Sequence, residues 1–371
     1  MVDEQGEGDA LFETAAEVLD DDVISVDESA EVLPFRYSIT SYGADYPVDG
    51  LVKRMETGAI RIPAFQRGFV WSQRQASRFV ESLLLGLPVP GVFMSREDDG
   101  RGSLLVIDGQ QRLESLQYFY RGIFGNSGRE FRLVGVQPAY VGRTYSTLDP
   151  ADQLRLDDSI IHATVVRQDS PSDDDSSIYH VFERLNTGGT PLSPQEIRVA
   201  IFHGDFVRLL QELNQVEDWR RIFGPVSRRM RDQELVLRFL AFRFSGADGY
   251  AEPMKGFLNY FMGSNRKLAD IQRAQYASAF TDAISLAYSA VGRLAFKPVR
   301  ALNASVFDAV MVGLSQRLER GAVSDRAAVS AAYTRLLLDS EFKAATERAT
   351  ASRDAVQTRL ELAVTAFQEI S

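Results

Sequence analysis

Cysteine is absent from all 371 residues. That excludes disulfides, thiolate zinc sites and a cysteine nucleophile. Histidine is nearly as scarce: His162, His180 and His203 are the whole set and none is paired at a ligand spacing. A zinc hydrolase and a histidine-centred nuclease finger are both disfavoured on that ground. No apolar run approaches the roughly 18 residues of a membrane span, and the N-terminus is acidic instead of a basic segment leading into an apolar one. A cytoplasmic location without a membrane partner is therefore expected. Basic residues are missing from positions 1–35, which carry twelve acidic ones. The formal net charge of −10 belongs to that arm; once its carboxylates are set aside, the 41 Lys and Arg slightly outnumber the acidic residues of the body. Nucleic-acid binding is permitted by this balance but not announced by it.

The length suffices for two domains with real cores, and 45% hydrophobic with 25% charged residues is a globular composition. The stretch around which the chain is organised is Ser103 to Tyr120, SLLVIDGQQRLESLQYFY. An apolar run, Leu104 to Ile107, stops at Asp108-Gly109, and an amphipathic segment carrying Leu113, Leu116, Phe119 and Tyr120 begins at once. That is strand, tight turn and helix. Glycine lets the backbone approach a ligand closely, and the first helical turn offers unpaired N–H groups at the positive end of the dipole, which suits a phosphate. Gln110, Gln111 and Arg112 crowd the same turn, and guanidinium is the side chain best matched to a phosphate fork. Asp108 could hold Mg²⁺ or orient a water. The plainer reading stands beside it: Asp-Gly turns before helices are common, and Asp is an ordinary N-cap.

Taken in order, residues 1–34 read as an acidic, mostly disordered arm. Tyr37 to Arg54 supplies a strand and a helix ending near Gly58. Ile60 to Trp71, IRIPAFQRGFVW, is extended, because Pro63 and the β-branched residues disfavour helix. Phe65, Phe69 and Trp71 read as core, whereas Gln66 and Arg67 are polar groups in an apolar segment and need a ligand or a carboxylate if buried. Ser72 and Gln75 form a capping box for a helix that Gly86 and Pro88 end. Two strands, 91–95 and 103–107, flank an Asp-Asp-Gly turn. After the organising helix, 122–128 reads as a loop, 131–136 and 160–166 as strands, and 150–156 as a short helix. The polar stretch DSPSDDDSS, 169–177, is the expected domain boundary. Beyond it the pattern is helical. Helices are expected at 178–185, 195–203, 205–215, 228–245, 252–263, 266–293, 303–319, 325–338 and 340–369. Asn186-Thr187-Gly188-Gly189 is a loop with room for close backbone approach, and Ser193-Pro194-Gln195-Glu196 is a strong helix start. Arg220, Arg221, Arg228, Arg229 and Arg231 form the densest basic cluster, read either as a solvated helix face or as a set of DNA phosphate contacts. No internal repeat is visible.

Five blocks stand in order: IPAFQRGFVW, SLLLGLPVPGVF, VIDGQQRLESL, VFERLNTGGTPLSPQEIR and RRMRDQELVLRFL. Together they resemble the N-terminal, ParB-like domain family of the GmrSD type of modification-dependent restriction systems, over about Ile60 to Phe244. The fold class the resemblance implies is α+β: a small ParB/sulfiredoxin-like mixed-sheet domain (35–170) followed by an all-α helical domain (171–371). It places a nucleotide site at DGQQR, here Asp108, Gly109, Gln110, Gln111 and Arg112. The neighbours it implies are Gln66 and Arg67 of the FQR block and Glu183, Asn186, Thr187, Gly188 and Gly189 of the FERLNTGG block. Asp108, Arg112, Gln111, Arg67 and Glu183 would carry catalysis and the others would bind the nucleotide. Two departures matter. Many members continue into a histidine-based nuclease domain, yet no histidine follows His203, so such cleavage would need a separate nuclease subunit. Sulfiredoxin chemistry needs a cysteine that this chain lacks.

The leading expectation is an NTP-binding, NTP-hydrolysing subunit of a bacterial restriction or anti-phage defence system that acts on or senses DNA, with Mg²⁺ as cofactor. The alternatives are a metal-dependent DNA nickase using the same pocket, and a non-enzymatic module switched by NTP. Helix-rich C-terminal regions commonly pair, so a homodimer is allowed for.

Overall fold

The computed structural model describes residues 23–24, 38–62, 69–97, 100–125, 128–170, 179, 181, 184 and 192–371. The chain forms two compact units: an α/β unit spanning 36–191, and a helical unit comprising 192–371 with the N-terminal 1–35. The architecture is α+β, as the sequence implied.

A two-residue strand, β1 (Val23–Ile24), belongs to the helical unit. The α/β unit then runs β2 (Ser38–Pro47), α1 (Val48–Glu56), β3 (Ile60–Arg61), α2 (Gln73–Leu84), β4 (Val92–Arg96), β5 (Leu104–Asp108), α3 (Gln110–Arg121), β6 (Ile123–Phe124), β7 (Arg129–Glu130), α4 (Pro150–Asp157) and β8 (Ile160–Ser170). Its main sheet is mixed and five-stranded, in the order β2-β8-β4-β5-β3. The outer pair β2/β8 and the inner pair β4/β5 are antiparallel, while β8/β4 and β5/β3 are parallel. Strand β5 is apolar and buried from Leu104 to Ile107, ahead of its terminal Asp108, as a strand covered on both faces must be. Helix α2 starts at a capping box in which Ser72 Oγ accepts from Gln75 N at 3.3 Å and Gln75 Oε1 accepts from Ser72 N at 2.8 Å. Its buried face, Ala76, Phe79, Val80, Leu83 and Leu84, joins one core with Val92, Met94 and Val106 of the sheet and Leu113, Leu116 and Phe119 of α3.

Two local expectations differ. The stretch 131–136 is not a strand: Phe131 and Leu133 are fully buried, but Leu133 closes a local pairing with Arg143 and Gly142 in irregular backbone. Burial, not pairing, spaces those apolar residues. The expected loop at 122–128 contains one arm of a short β6/β7 hairpin. The polar stretch 171–177 lies outside the described residues.

In the helical unit, β1 pairs in parallel with β9 (Leu302–Asn303), and the helices surround Ala304–Leu318, which is buried along nearly all its length. A helix buried on every side belongs in the middle, and its buried Asp308 is ion-paired there with Arg238 and Arg359. Gly313 lets the helix Arg353–Phe367 come close, since a Cβ there would lie 2.7 Å from Ala363 O. A helix at Glu217–Phe223 was not anticipated, and the helix expected over 340–369 is two, Ser340–Glu347 and Arg353–Phe367. They separate because Ala349 takes a positive φ of 44° and Ser352 caps the second through Ala355 N. Among the described residues no helix is long and apolar enough to cross a membrane.

Candidate functional site

The strand–turn–helix junction forms where the sequence places it. Strand β5 ends at Asp108, Gly109 is the N-cap of α3, and Gln110, Gln111 and Arg112 fill the first turn. Gly109 adopts φ 101°, which an L side chain resists, and a Cβ on it would lie 2.5 Å from Val92 Cγ1. Glycine is therefore required on both conformational and steric grounds. It also brings no side-chain acceptor to the helix terminus, so no side chain at the N-cap competes for the first-turn N–H groups. Beside the turn, the β4/β5 register shifts between Phe93 and Met94, with Phe93 opposite Asp108. Bulges of this kind re-aim side chains.

Asp108 is not the cap. Its Oδ2 accepts from Arg112 Nη2 at 2.6 Å, one helical turn away. Gln110 Nε2 donates to Glu114 Oε2 at 2.9 Å, and Glu114 is bonded in turn to Tyr118. Burial pushes the Glu114 carboxyl above its ordinary value, and the bonds from Gln110 and Tyr118 pull it partly back. Burial also raises the Tyr118 phenol, with Glu114 adding to it. Gln111 Oε1 accepts from the backbone N–H groups of Val70 and Trp71 at 2.9 and 3.1 Å. Phe69 and Trp71 pack against the core as expected, Phe69 edge-on to Tyr118 at 5.0 Å.

The structure thus brings Asp108, Gly109, Gln110, Gln111 and Arg112 together on one turn. Gln66, Arg67, Glu183, Asn186, Thr187, Gly188, Gly189 and Phe65 lie outside the described residues. Glu114 and Tyr118 were not singled out from the sequence, although 110, 114 and 118 share one helical face by spacing alone. No group of three His, Cys, Asp or Glu residues converges as a metal cage among the described residues.

In the helical unit the arginine cluster is heavily engaged in ion pairs. Arg220 donates to Asp232 Oδ2 at 2.8 Å and Asn214 Oδ1 at 2.9 Å, and its guanidinium covers the Trp219 and Phe223 rings. Burial lowers its pKa, with Asp232 opposing. Arg221 pairs with Glu217 and Asp218, and Arg229 lies 3.5 Å from Glu196. Arg228 is exposed and Arg231 half-buried.

Fold and turn together define an α/β domain whose strand β5, next to the sheet's central strand, delivers a glycine-capped helix terminus furnished with one arginine and two glutamines. Residues 48–203 match the family described as GmrSD restriction endonuclease, N-terminal domain. No curated protein matches the chain significantly.

Proposed function

We propose that the chain is an NTP-binding and NTP-hydrolysing subunit of a restriction or defence system, acting on or sensing DNA. The observation that carries this reading is the DGQQR junction: a glycine N-cap without a competing side chain, with Arg112 held against the helix terminus. Backbone N–H groups of the first turn would receive phosphate oxygens, and Arg112 would neutralise charge that develops as the terminal phosphoryl leaves. Mg²⁺ is commonly held by one or two carboxylates and completed by phosphates and water. Asp108, half-exposed at the strand end, fits that donor set and would hold the ion, which supplies charge neutralisation at the phosphates. Gln66, Arg67, Glu183 and the Asn186–Gly189 loop are assigned here by resemblance as neighbours of the same site. The restriction family that residues 48–203 match supports contact with DNA; a separate nuclease subunit is part of the same proposal, and Arg228, exposed in the basic cluster, would be available to a phosphate backbone.

The test is phosphate release from ATP, GTP, CTP and UTP with Mg²⁺, for wild type and Arg112→Ala, with and without DNA. Turnover by the wild type that falls by at least about a hundredfold in the variant is expected. Equal turnover in both would remove the turn from the chemistry.

A further inference from the structure

The side-chain amide of Gln111 can be oriented on chemical grounds. Its contacts are two backbone N–H groups, Val70 N and Trp71 N, at 2.9 and 3.1 Å. A backbone N–H can only donate, so the carboxamide oxygen must be the atom turned to 70–71 and the amino group the atom turned away. The helix side of the residue is tied as well, since its carbonyl accepts from Ser115 Oγ at 2.6 Å.

What this oxygen holds has little else of its own at its centre. Val70 is 66% exposed, so its backbone gains almost nothing from apolar burial. Its neighbours are anchored in different directions: Phe69 lies edge-on to Tyr118 of α3 and to Phe124 of β6, at 5.0 and 5.4 Å, and Trp71 edge-on to Phe79 of α2 at 5.9 Å. Residues 69–71 therefore join α3 to α2, and their polar tie to α3 at this point is Gln111. Both bonds are made by the second residue of the helix, so they fix the first turn and not the helix body.

We propose that Gln111 is a positioning residue: through its oxygen it fastens the backbone of 69–71 to the first turn of α3 and holds that turn in a fixed orientation against α2. It acts on the site through the turn, not by offering its oxygen to a ligand. The functional consequence rests on reading the turn as a nucleotide site; the clamp itself does not. Nothing in the motif's composition separates the two glutamines, yet they do different work. Gln110 points along its own helix to Glu114, and Gln111 points across to another segment.

The experiment compares hydrogen–deuterium exchange at the Val70 and Trp71 amides in the full chain, for wild type, Gln111→Ala and Gln111→Glu, with equilibrium binding of ATP, GTP, CTP and UTP measured on wild type and Gln111→Ala. Loss of two hydrogen bonds is expected to speed exchange at these amides by about ten- to a hundredfold in Gln111→Ala, with the β4 and β5 amides unchanged. Gln111→Glu keeps an acceptor oxygen at the same reach and is expected to restore the protection. Nucleotide affinity should fall in Gln111→Ala by about tenfold as the turn loosens. Unchanged exchange in Gln111→Ala, or no recovery in Gln111→Glu, would overturn the clamp. Faster exchange with full nucleotide affinity would overturn its link to the site. If the wild type binds none of the four nucleotides, the nucleotide reading fails, and the exchange data still decide the clamp.

Discussion

Arg112 Nη2 lies 2.6 Å from Asp108 Oδ2, closing one helical turn across Gly109. The two partners are unequal: the Arg112 side chain is 14% exposed and that of Asp108 46%. The cation is the held partner, and the carboxylate is the one that meets solvent. A pair so open to water contributes on the order of 1 kcal/mol or less, so it orients the guanidinium without locking it.

This geometry makes the carboxylate a competitor of any phosphate for Arg112. Asp108→Asn removes the competing charge while keeping the shape. Nucleotide affinity measured in EDTA is expected to rise by about three- to tenfold, whereas Mg²⁺-dependent turnover falls by at least about a hundredfold. Titration of both proteins with and without Mg²⁺ checks this. Weaker metal-free binding by the variant would show that Asp108 helps, and does not oppose, the anion.

At the far end of α3, Tyr120 and Tyr145 stack at 4.1 Å and both donate to the Asp157 carboxylate. The Tyr145 phenol is pushed up to about 12, chiefly by burial and next by its bond to Asp157; Tyr120 is raised by the same causes. Because the folded phenol holds its proton more tightly than the unfolded one, its contribution to stability is complete below pH 10 and is lost as pH climbs through about 12. Denaturant titrations across that window should show falling stability. Asp157→Asn keeps an acceptor but removes the negative charge, so phenolate absorbance should report Tyr145 ionising roughly a unit lower. An unmoved titration would assign the whole shift to burial.

In the helical unit, Asp308 carries two buried arginines. Arg238 donates through Nε and Nη2 at 3.1 and 2.5 Å, and Arg359 through Nη2 at 3.3 Å. Asp308 and Arg359 are fully buried and Arg238 nearly so. Removing this carboxylate takes a buried counter-charge from two guanidinium groups at once, and Asp308→Ala is expected to cost about 4 kcal/mol in chemical denaturation. Asp325→Ala, which removes only the cap that accepts from Ala328 N, should cost about 1 kcal/mol. Similar losses for both would mean that the buried triad is worth no more than a helix cap.

Much of this was legible because the relevant signals are local. The Ser72–Gln75 capping box, the strand ending at Asp108, the glycine at 109 and the Ser193–Glu196 helix start each depend on residues within four positions of one another. What escaped depends on distant partners. Nothing around Arg220 announces Asp232 and Asn214, so a basic cluster looks free in the sequence while ion pairs hold part of it in the structure. Gln111 is a similar case, since its partners lie some forty positions earlier. The apolar spacing at 131–136 imitates a strand because burial alone selects it, and the break near Ala349 turns on one backbone angle that an alanine-rich stretch does not advertise.

Strand β8 has a consequence for how the chain is made. It lies between β2 and β4 in the sheet, yet it is the last of the five strands to be synthesised. At ordinary translation rates of about 5–20 residues per second, β2 waits roughly ten seconds for its partner to leave the ribosome. During that interval the β4/β5 pair has an open edge where β8 will insert, a template for wrong pairing. Newly made chains that stall before 160 should therefore be chaperone clients, and those released after 170 should not.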